Sequence, residues 1–298
     1  MTSSGGSAGL ATLAELVRLP AALTVPGDTL AGAASGGALD GSLQGALRSA
    51  ALMPVASVCL YWSGMALNDW ADRDLDAVER PERPIPSGRI SPRAALAVAG
   101  GLSAAGLAAA HVAGGAPAVR TAALLTATVW AYDLVLKNGP AGPVAMAAAR
   151  GLDVVLGAGG SPRAAAAPAV LMAGHTAAVT ALSRGEVHGA APATARGALA
   201  RHVVTAVAAG LRGRTGRRPA LLPAALAGAY ALAVGRAQAR AVRDPAAGPV
   251  RAATGAGIKG MVPLQASLVA GSGSPRTAIA LLAAGPLAQA AFKRISFT

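Results

Sequence analysis

Asn68-Asp69-Trp70-Ala71-Asp72-Arg73-Asp74-Leu75-Asp76-Ala77-Val78-Glu79-Arg80-Pro81-Glu82-Arg83-Pro84-Ile85-Pro86-Ser87-Gly88-Arg89 is the stretch on which the reading of this chain turns. It holds six of the thirteen carboxylates in a sequence otherwise built mostly of Ala, Gly, Leu and Val. If the preceding helix continues through it, Asn68, Asp72 and Asp76 fall at i, i+4 and i+8 and project from nearly one face, with Asp69 beside them. Carboxylates gathered so closely repel one another and call for cations, and hard oxygen donors favour magnesium or calcium. Magnesium commonly keeps waters and shares its shell with a substrate phosphate. Four arginines follow, Arg73, Arg80, Arg83 and Arg89, whose guanidinium forks suit phosphate oxygens. This pattern predicts metal-assisted handling of a diphosphate. The same residues also read as a solvated loop between two apolar helices, its charges paired with one another.

Spacing and setting favour the first reading. The pattern N-D-x-x-D-x-x-x-D, continued by Arg83-Pro84-Ile85-Pro86-Ser87-Gly88-Arg89-Ile90-Ser91 as R-P-x-P-S-G-x-x-S, resembles the first aspartate-rich motif of the UbiA superfamily of intramembrane prenyltransferases. The resemblance extends from about residue 17 to 271 and is most specific over 68–91. It implies an all-α, polytopic membrane bundle of about nine or ten transmembrane helices around a central cavity, occupying residues 13–298.

Composition agrees. Of 298 residues, 53% are hydrophobic and 13% charged, with a mean hydropathy of +0.49, against about 25% charged in an ordinary soluble domain. Only 3% are aromatic, so small Ala and Gly faces would let membrane helices approach closely. The net charge of +13 lacks a basic motif with interleaved aromatics, which argues against nucleic acid and for a charged membrane surface. Cys59, the one cysteine, excludes an intramolecular disulfide and reads as packing. The Gly/Ser-rich start lacks the features of a cleaved signal peptide, and residues 1–12 are expected as a disordered cytoplasmic tail.

Apolar segments fall at about 13–36, 45–68, 93–113, 119–137, 141–160, 164–182, 195–211, 220–241, 248–271 and 276–292, most near the ~20 residues of a spanning helix. The superfamily usually has nine, so 276–292 looks like an addition. The loop at 69–93 carries five arginines and its neighbours near 37–47 and 114–120 carry none and one, which places the aspartate loop in the cytoplasm of a multi-pass cell-membrane protein. Arg212, Arg214, Arg217 and Arg218 depart from this alternation, since ten simple crossings put them outside.

Other charged residues sit inside apolar runs, where they usually line cavities or satisfy each other. Arg18, Pro20, Pro26 and Asp28 interrupt the first segment, and its arginine-x-proline start resembles the family's first helix. Asp28 reads either as a residue in contact with water at a helix end or as part of the pocket. Arg150 and Asp153, three apart, are expected to pair on one face of a pocket wall. Tyr132 and Lys137 end the fourth segment and resemble the family's tyrosine and basic residue there; Lys137 reads as a phosphate ligand or as a snorkelling helix end. The family's second acidic motif falls on Leu182-Ser183-Arg184-Gly185-Glu186-Val187-His188-Gly189, where the glycine and second acid remain but the first acid position holds Leu182. His188 reads as an interfacial polar residue or as a ligand or base, and Arg184 as a partial substitute for a missing cation.

By resemblance, then, the chain transfers an isoprenyl group from an isoprenyl diphosphate to a lipophilic or aromatic acceptor with Mg2+. Asn68, Asp72, Asp76 and Glu186 are the implied metal ligands. Asp69, Asp72, Asp76 and Glu186 are the implied catalytic acids, and Arg83, Lys137, Tyr132 and Arg150 bind substrate. The weakened second motif keeps a second reading open, a non-catalytic membrane protein that binds or moves a polyprenyl or other amphipathic molecule.

Overall fold

In a computed structural model, residues 4–19, 24–39, 43–215 and 218–284 are described, and nearly all of them are helical. In chain order the helices are α1 (Ser4–Leu16), α2 (Pro26–Ser35), α3 (Leu43–Leu47), α4 (Met53–Ala71), α5 (Arg73–Glu79), α6 (Pro92–Ala131), α7 (Gly142–Gly157), α8 (Pro162–Ser183), α9 (Pro192–Leu211), α10 (Leu221–Arg243), α11 (Ala247–Gly271) and α12 (Pro275–Ala284). A two-residue antiparallel ribbon pairs Arg214–Thr215 with Arg218–Pro219.

Among the described residues, three continuous helical stretches, Gln44–Ala71, Pro92–Leu136 and Pro162–Ser183, are long and apolar enough to cross a membrane. The first joins α3 to α4 through a π-turn at Arg48–Leu52. The second is two helices in effect. Gly115, at φ 64° and ψ −154°, takes a backbone shape that only glycine adopts readily, and Pro117 follows without an N–H to give. The break falls between the two apolar segments read from sequence. Valines and leucines such as Val112, Leu124, Val135 and Val170 are exposed on the outer surface of these helices, as a lipid-facing bundle requires.

The N-terminal expectations need correction. Residues 1–12 were expected as a disordered tail, but α1 begins at Ser4, because Leu10, Leu13 and Leu16 recur at helical spacing and Leu16 is fully buried against Ala66, Leu67, Ile85, Ala95 and Ala99. The apolar segment 13–36 is also no single span. Helix α1 ends before Arg18, whose φ of 49° turns the chain, and α2 restarts at Pro26 and runs only ten residues.

Small residues set the packing. A Cβ on Gly32 would stand 1.9 Å from the Val154 carbonyl oxygen, and one on Gly157 would stand 2.0 Å from that of Thr29, so α2 and α7 meet backbone to backbone. The second half of the bundle is tied by neutral hydrogen bonds. His175 Nε2 lies 3.0 Å from the Gly257 carbonyl, which can only accept, so Nδ1 takes the Tyr230 hydroxyl at 2.8 Å.

Successive helices alternate direction, which gathers the loops after α5, the π-turn at Tyr132–Leu136, α8 and α10 at one end. Arg184 of the third loop donates to the carbonyls of Lys137 and Gly139 in the second, and the Ala190 N–H donates to the Pro245 carbonyl of the fourth. At the other end Gly213 packs on Gly271, and Ser35 bonds Ser272 at 2.9 Å. Arg212, which follows Leu211 and packs on Gly271, therefore lies at the end opposite the aspartate loop.

Candidate active site

The aspartate stretch is a broken helix that keeps its register. Helix α4 stops at Ala71 and Asp72, at φ −92° and ψ 5°, makes the corner into α5. The Asp72 N–H still donates to the Asn68 carbonyl at 2.9 Å and the Asp76 N–H to the Asp72 carbonyl at 2.8 Å. The i, i+4, i+8 spacing therefore survives the corner. Asp69 and Asp76 are buried and Asp72 is partly exposed.

Each of these acids already has a cation. Arg18 Nη2 donates to Asp69 Oδ1 at 2.8 Å, and Arg83 Nη1 bridges Asp76 Oδ2 at 2.6 Å and Asp69 Oδ1 at 3.3 Å. Lys137 Nζ reaches Asp72 Oδ1 at 2.6 Å. Of these three cations, the reading as a loop of mutually paired charges holds for Arg83 alone, since Arg18 and Lys137 come from outside the segment, and these contacts are partly buried.

The rest of the motif builds the support. Gly88, at φ 73°, turns the chain, and the Ser87 hydroxyl donates to the Arg83 carbonyl at 2.7 Å, which steadies the residue that bridges Asp69 and Asp76. Ser91 caps α6 by accepting the Ala94 N–H at 3.2 Å, with Pro92 in the first turn. Arg89 grips the Glu15 carboxylate with both Nη atoms, at 2.5 and 2.9 Å, and so clamps α1 to this loop.

Beneath the motif lies a cavity of about 390 Å³. Its mouth is lined by Arg18, Asn68, Tyr132 and Asp133, its walls by Leu60, Tyr61, Met65, Leu125, Val129 and Met146, and its inner end by Ser57, Arg150 and Asp153. Tyr132 and Lys137 are five residues apart, and the π-turn between them, closed by the Lys137 N–H on the Tyr132 carbonyl at 2.9 Å, returns both to one side of the helix. Asp133 is the residue that sequence reasoning passed over. It is buried, takes the Asn68 amide N–H at 3.1 Å on Oδ1, and its Oδ2 would meet a Cβ on Gly64 at 3.6 Å. An acid inside the apolar run 119–137 was the signal that could have found it.

Arg150 and Asp153 both line the cavity, yet their expected pairing is corrected. Arg150 Nη1 pairs with Asp28 Oδ2 at 3.0 Å, across the tight α2–α7 contact, while Asp153 Oδ2 accepts the Ser57 hydroxyl at 2.6 Å. Asp28 is fully buried and also takes the Gln265 amide at 2.7 Å, so it is not a water-facing helix end. Cys59 is half-buried.

The second motif does not join the first as a ligand set. Leu182 is buried among Ala178, Ala195, Ala198, Ala241, Val250 and Ala253. Glu186 and His188 do not line the cavity, and Glu186 engages its neighbours through its carbonyl, which accepts from Arg251 at 2.9 Å. Among the described residues no three acidic, His or Cys side chains stand together as a cation site. Of the expected set of Asn68, Asp72, Asp76 and Glu186, the first three meet Arg18, Lys137 and Arg83, and Glu186 does not line the cavity. Asn68, Asp72 and Asp76 alone remain a hard-oxygen set of the type magnesium takes, and the buried Asp76 Oδ1 lacks a hydrogen-bond donor.

Comparison with known proteins agrees with this architecture. The chain is 44% identical over 85 residues to digeranylgeranylglyceryl phosphate synthase of Methanothrix thermoacetophila, a match spanning 28% of this chain and 30% of that relative. It is 42% identical over 62 residues to the chloroplastic chlorophyll synthase of Oryza sativa subsp. japonica, spanning 21% and 16%. These matches cover less than a third of either relative. A solved digeranylgeranylglyceryl phosphate synthase superposes over 89% of this chain and 98% of its own, with a TM-score of 0.68 at 16% identity. A UbiA homologue from Archaeoglobus fulgidus, bound to GPP and Mg2+, superposes over 88% and 98% with a TM-score of 0.62 at 18% identity. At such identities these structures speak for the fold. Residues 29–247 match the UbiA prenyltransferase family, and the chain belongs to that family.

Proposed function

We propose that this protein is a multi-pass membrane transferase that moves an isoprenyl group from a magnesium-bound isoprenyl diphosphate to a lipophilic or aromatic acceptor. The observation that carries the reading is the meeting of the buried acids and their cations at the mouth of an otherwise apolar cavity. Asn68, Asp72 and Asp76 would hold magnesium, which supplies charge neutralisation of the departing diphosphate. Lys137, Arg83 and Arg18 then turn from carboxylates to phosphate oxygens, so the cations that balance these acids also bind the substrate. Asp133 faces the chamber beside Tyr132 and is placed to take the acceptor's proton. Leu60, Leu125 and Val129 keep water from the allylic cation. The arginine-rich aspartate loop and the turn holding Glu186 face the cytoplasm.

Purified protein in lipid, given labelled geranyl diphosphate, should bind it with magnesium, lose it with EDTA, and release inorganic diphosphate slowly to water. No magnesium-dependent binding would overturn the reading. Binding without any release would favour the second reading, a carrier, for which the buried Leu182 and uninvolved Glu186 speak.

A further inference from the structure

We infer that Asp133 is a positioning residue for Asn68, turning the side-chain amide so that its oxygen, and not its nitrogen, faces the cations of the site. This rests on the reading of the chain as a transferase that binds magnesium and an isoprenyl diphosphate, and adds what makes Asn68 a ligand beside two aspartates.

An asparagine presents an oxygen on one side and an NH2 group on the other, and only the oxygen can hold a metal ion. The two ends have nearly the same shape, so the neighbours must choose between them. Here both neighbours choose alike. Asp133 Oδ1, which as a carboxylate only accepts, takes the Asn68 Nδ2 hydrogen at 3.1 Å, and Arg18 Nη2, which only donates, stands 3.5 Å from Asn68 Oδ1. A reversed amide would set oxygen against carboxylate and N–H against guanidinium. The same Arg18 nitrogen holds Asp69 Oδ1 at 2.8 Å, so the Asn68 oxygen is turned to a cation that it shares with an acid of the motif. When Arg18 turns to phosphate, the shorter bond to Asp133 is the one left to hold the amide in place.

The helices are shaped to bring Asp133 this close. Gly64 and Asn68 stand one turn apart on α4, and Val129 and Asp133 stand one turn apart on α6 and the π-turn that follows it. A Cβ on Gly64 would lie 2.7 Å from Val129 Cγ1 and 3.6 Å from Asp133 Oδ2, so a larger residue there would push the second pair away from the first. Oδ2 takes no part in the bond to Asn68 and remains for the acceptor's proton. The two roles therefore separate. Orienting Asn68 acts on magnesium and the diphosphate, whereas proton removal matters only when an acceptor is present.

The test is a magnesium titration of geranyl diphosphate binding by the full-length protein in lipid, without acceptor, across a double-mutant cycle. Asp133→Leu should raise the magnesium midpoint about tenfold, as the loss of a hydrogen bond to a charged group implies. In an Asn68→Asp background both ends of residue 68 are oxygens that need no orienting, and Asp133 becomes a repelling neighbour. There Asp133→Leu should leave the midpoint unchanged or lower it. Asp133→Asn keeps the shape but donates as readily as it accepts, and with Asn68 in place it should raise the midpoint a few-fold, which keeps the inference exposed to test should Asp133→Leu not fold. An unchanged midpoint in either folded variant would overturn the inference. An equal rise for Asp133→Leu in both backgrounds would overturn it too, since lost charge or general distortion acts alike on both. No magnesium-dependent binding by the unsubstituted protein would instead overturn the transferase reading, and this inference with it.

Discussion

The turn around Asp72 and the turn around Glu186 lie at the same end of one bundle, yet they handle charge in opposite ways. In the first, acids on α4 and α5 point inward and Arg18, Arg83 and Lys137 come from three other places in the chain to meet them. In the second, the inward position is Leu182, the acid stays at the edge, and Arg184 serves main-chain carbonyls. The difference teaches that electrostatic work is concentrated in one half, while the other half supplies packing and a tie between loops. A buried acid needs a cation against it, as Arg83 provides for Asp76, whereas Leu182 has alanines and valines around it.

The sharpest way to break this comparison is to make the second turn resemble the first. Leu182→Asp puts a carboxylate among buried alanines and valines, and should destabilise the protein by about 3–5 kcal/mol, read by thermal unfolding in detergent. A stable Leu182→Asp variant with tighter magnesium-dependent binding would show that the position opens to the site after all. Removing the bridge in the first turn comes next. Arg83→Gln leaves Asp76 with Arg80 at 3.6 Å and Asp69 with Arg18, and should lower stability by about 2–3 kcal/mol, less than for a fully buried pair because Arg83 is partly exposed. Its loss of affinity for the diphosphate should be accompanied by a weaker salt dependence of binding. Arg184→Gln, which removes only the tie to the Lys137 and Gly139 carbonyls, should cost about 1 kcal/mol and change affinity by a few-fold at most.

Much of this was legible in residues 68–91, because spacing, glycine and proline are local signals. Asn68, Asp72 and Asp76 keep helical register through the corner, Gly88 sits where a left-handed turn is needed, and Ser91 caps α6. What the sequence concealed depends on contacts between distant segments. Arg150 and Asp153 satisfy the local rule for pairing, but α2 packs so closely on α7 that Asp28 takes the arginine first. Two of the charge partners of the aspartates, Arg18 after α1 and Lys137 after the π-turn, come from outside the motif, and nothing in the motif names them. Leu182 was legible in another sense. An apolar residue where an acid was expected fits the buried position that Leu182 takes.

The most direct test of the central claim, that one acidic turn carries the diphosphate site, is the magnesium-dependent affinity for geranyl diphosphate of Asp72→Asn beside that of Glu186→Gln, both folded in lipid. Asp72→Asn removes a charge facing Lys137 with little change of shape and should weaken binding about tenfold or more, whereas Glu186→Gln should stay within about twofold. Equal losses in the two variants would contradict the account, because Glu186 would then be a working member of the site.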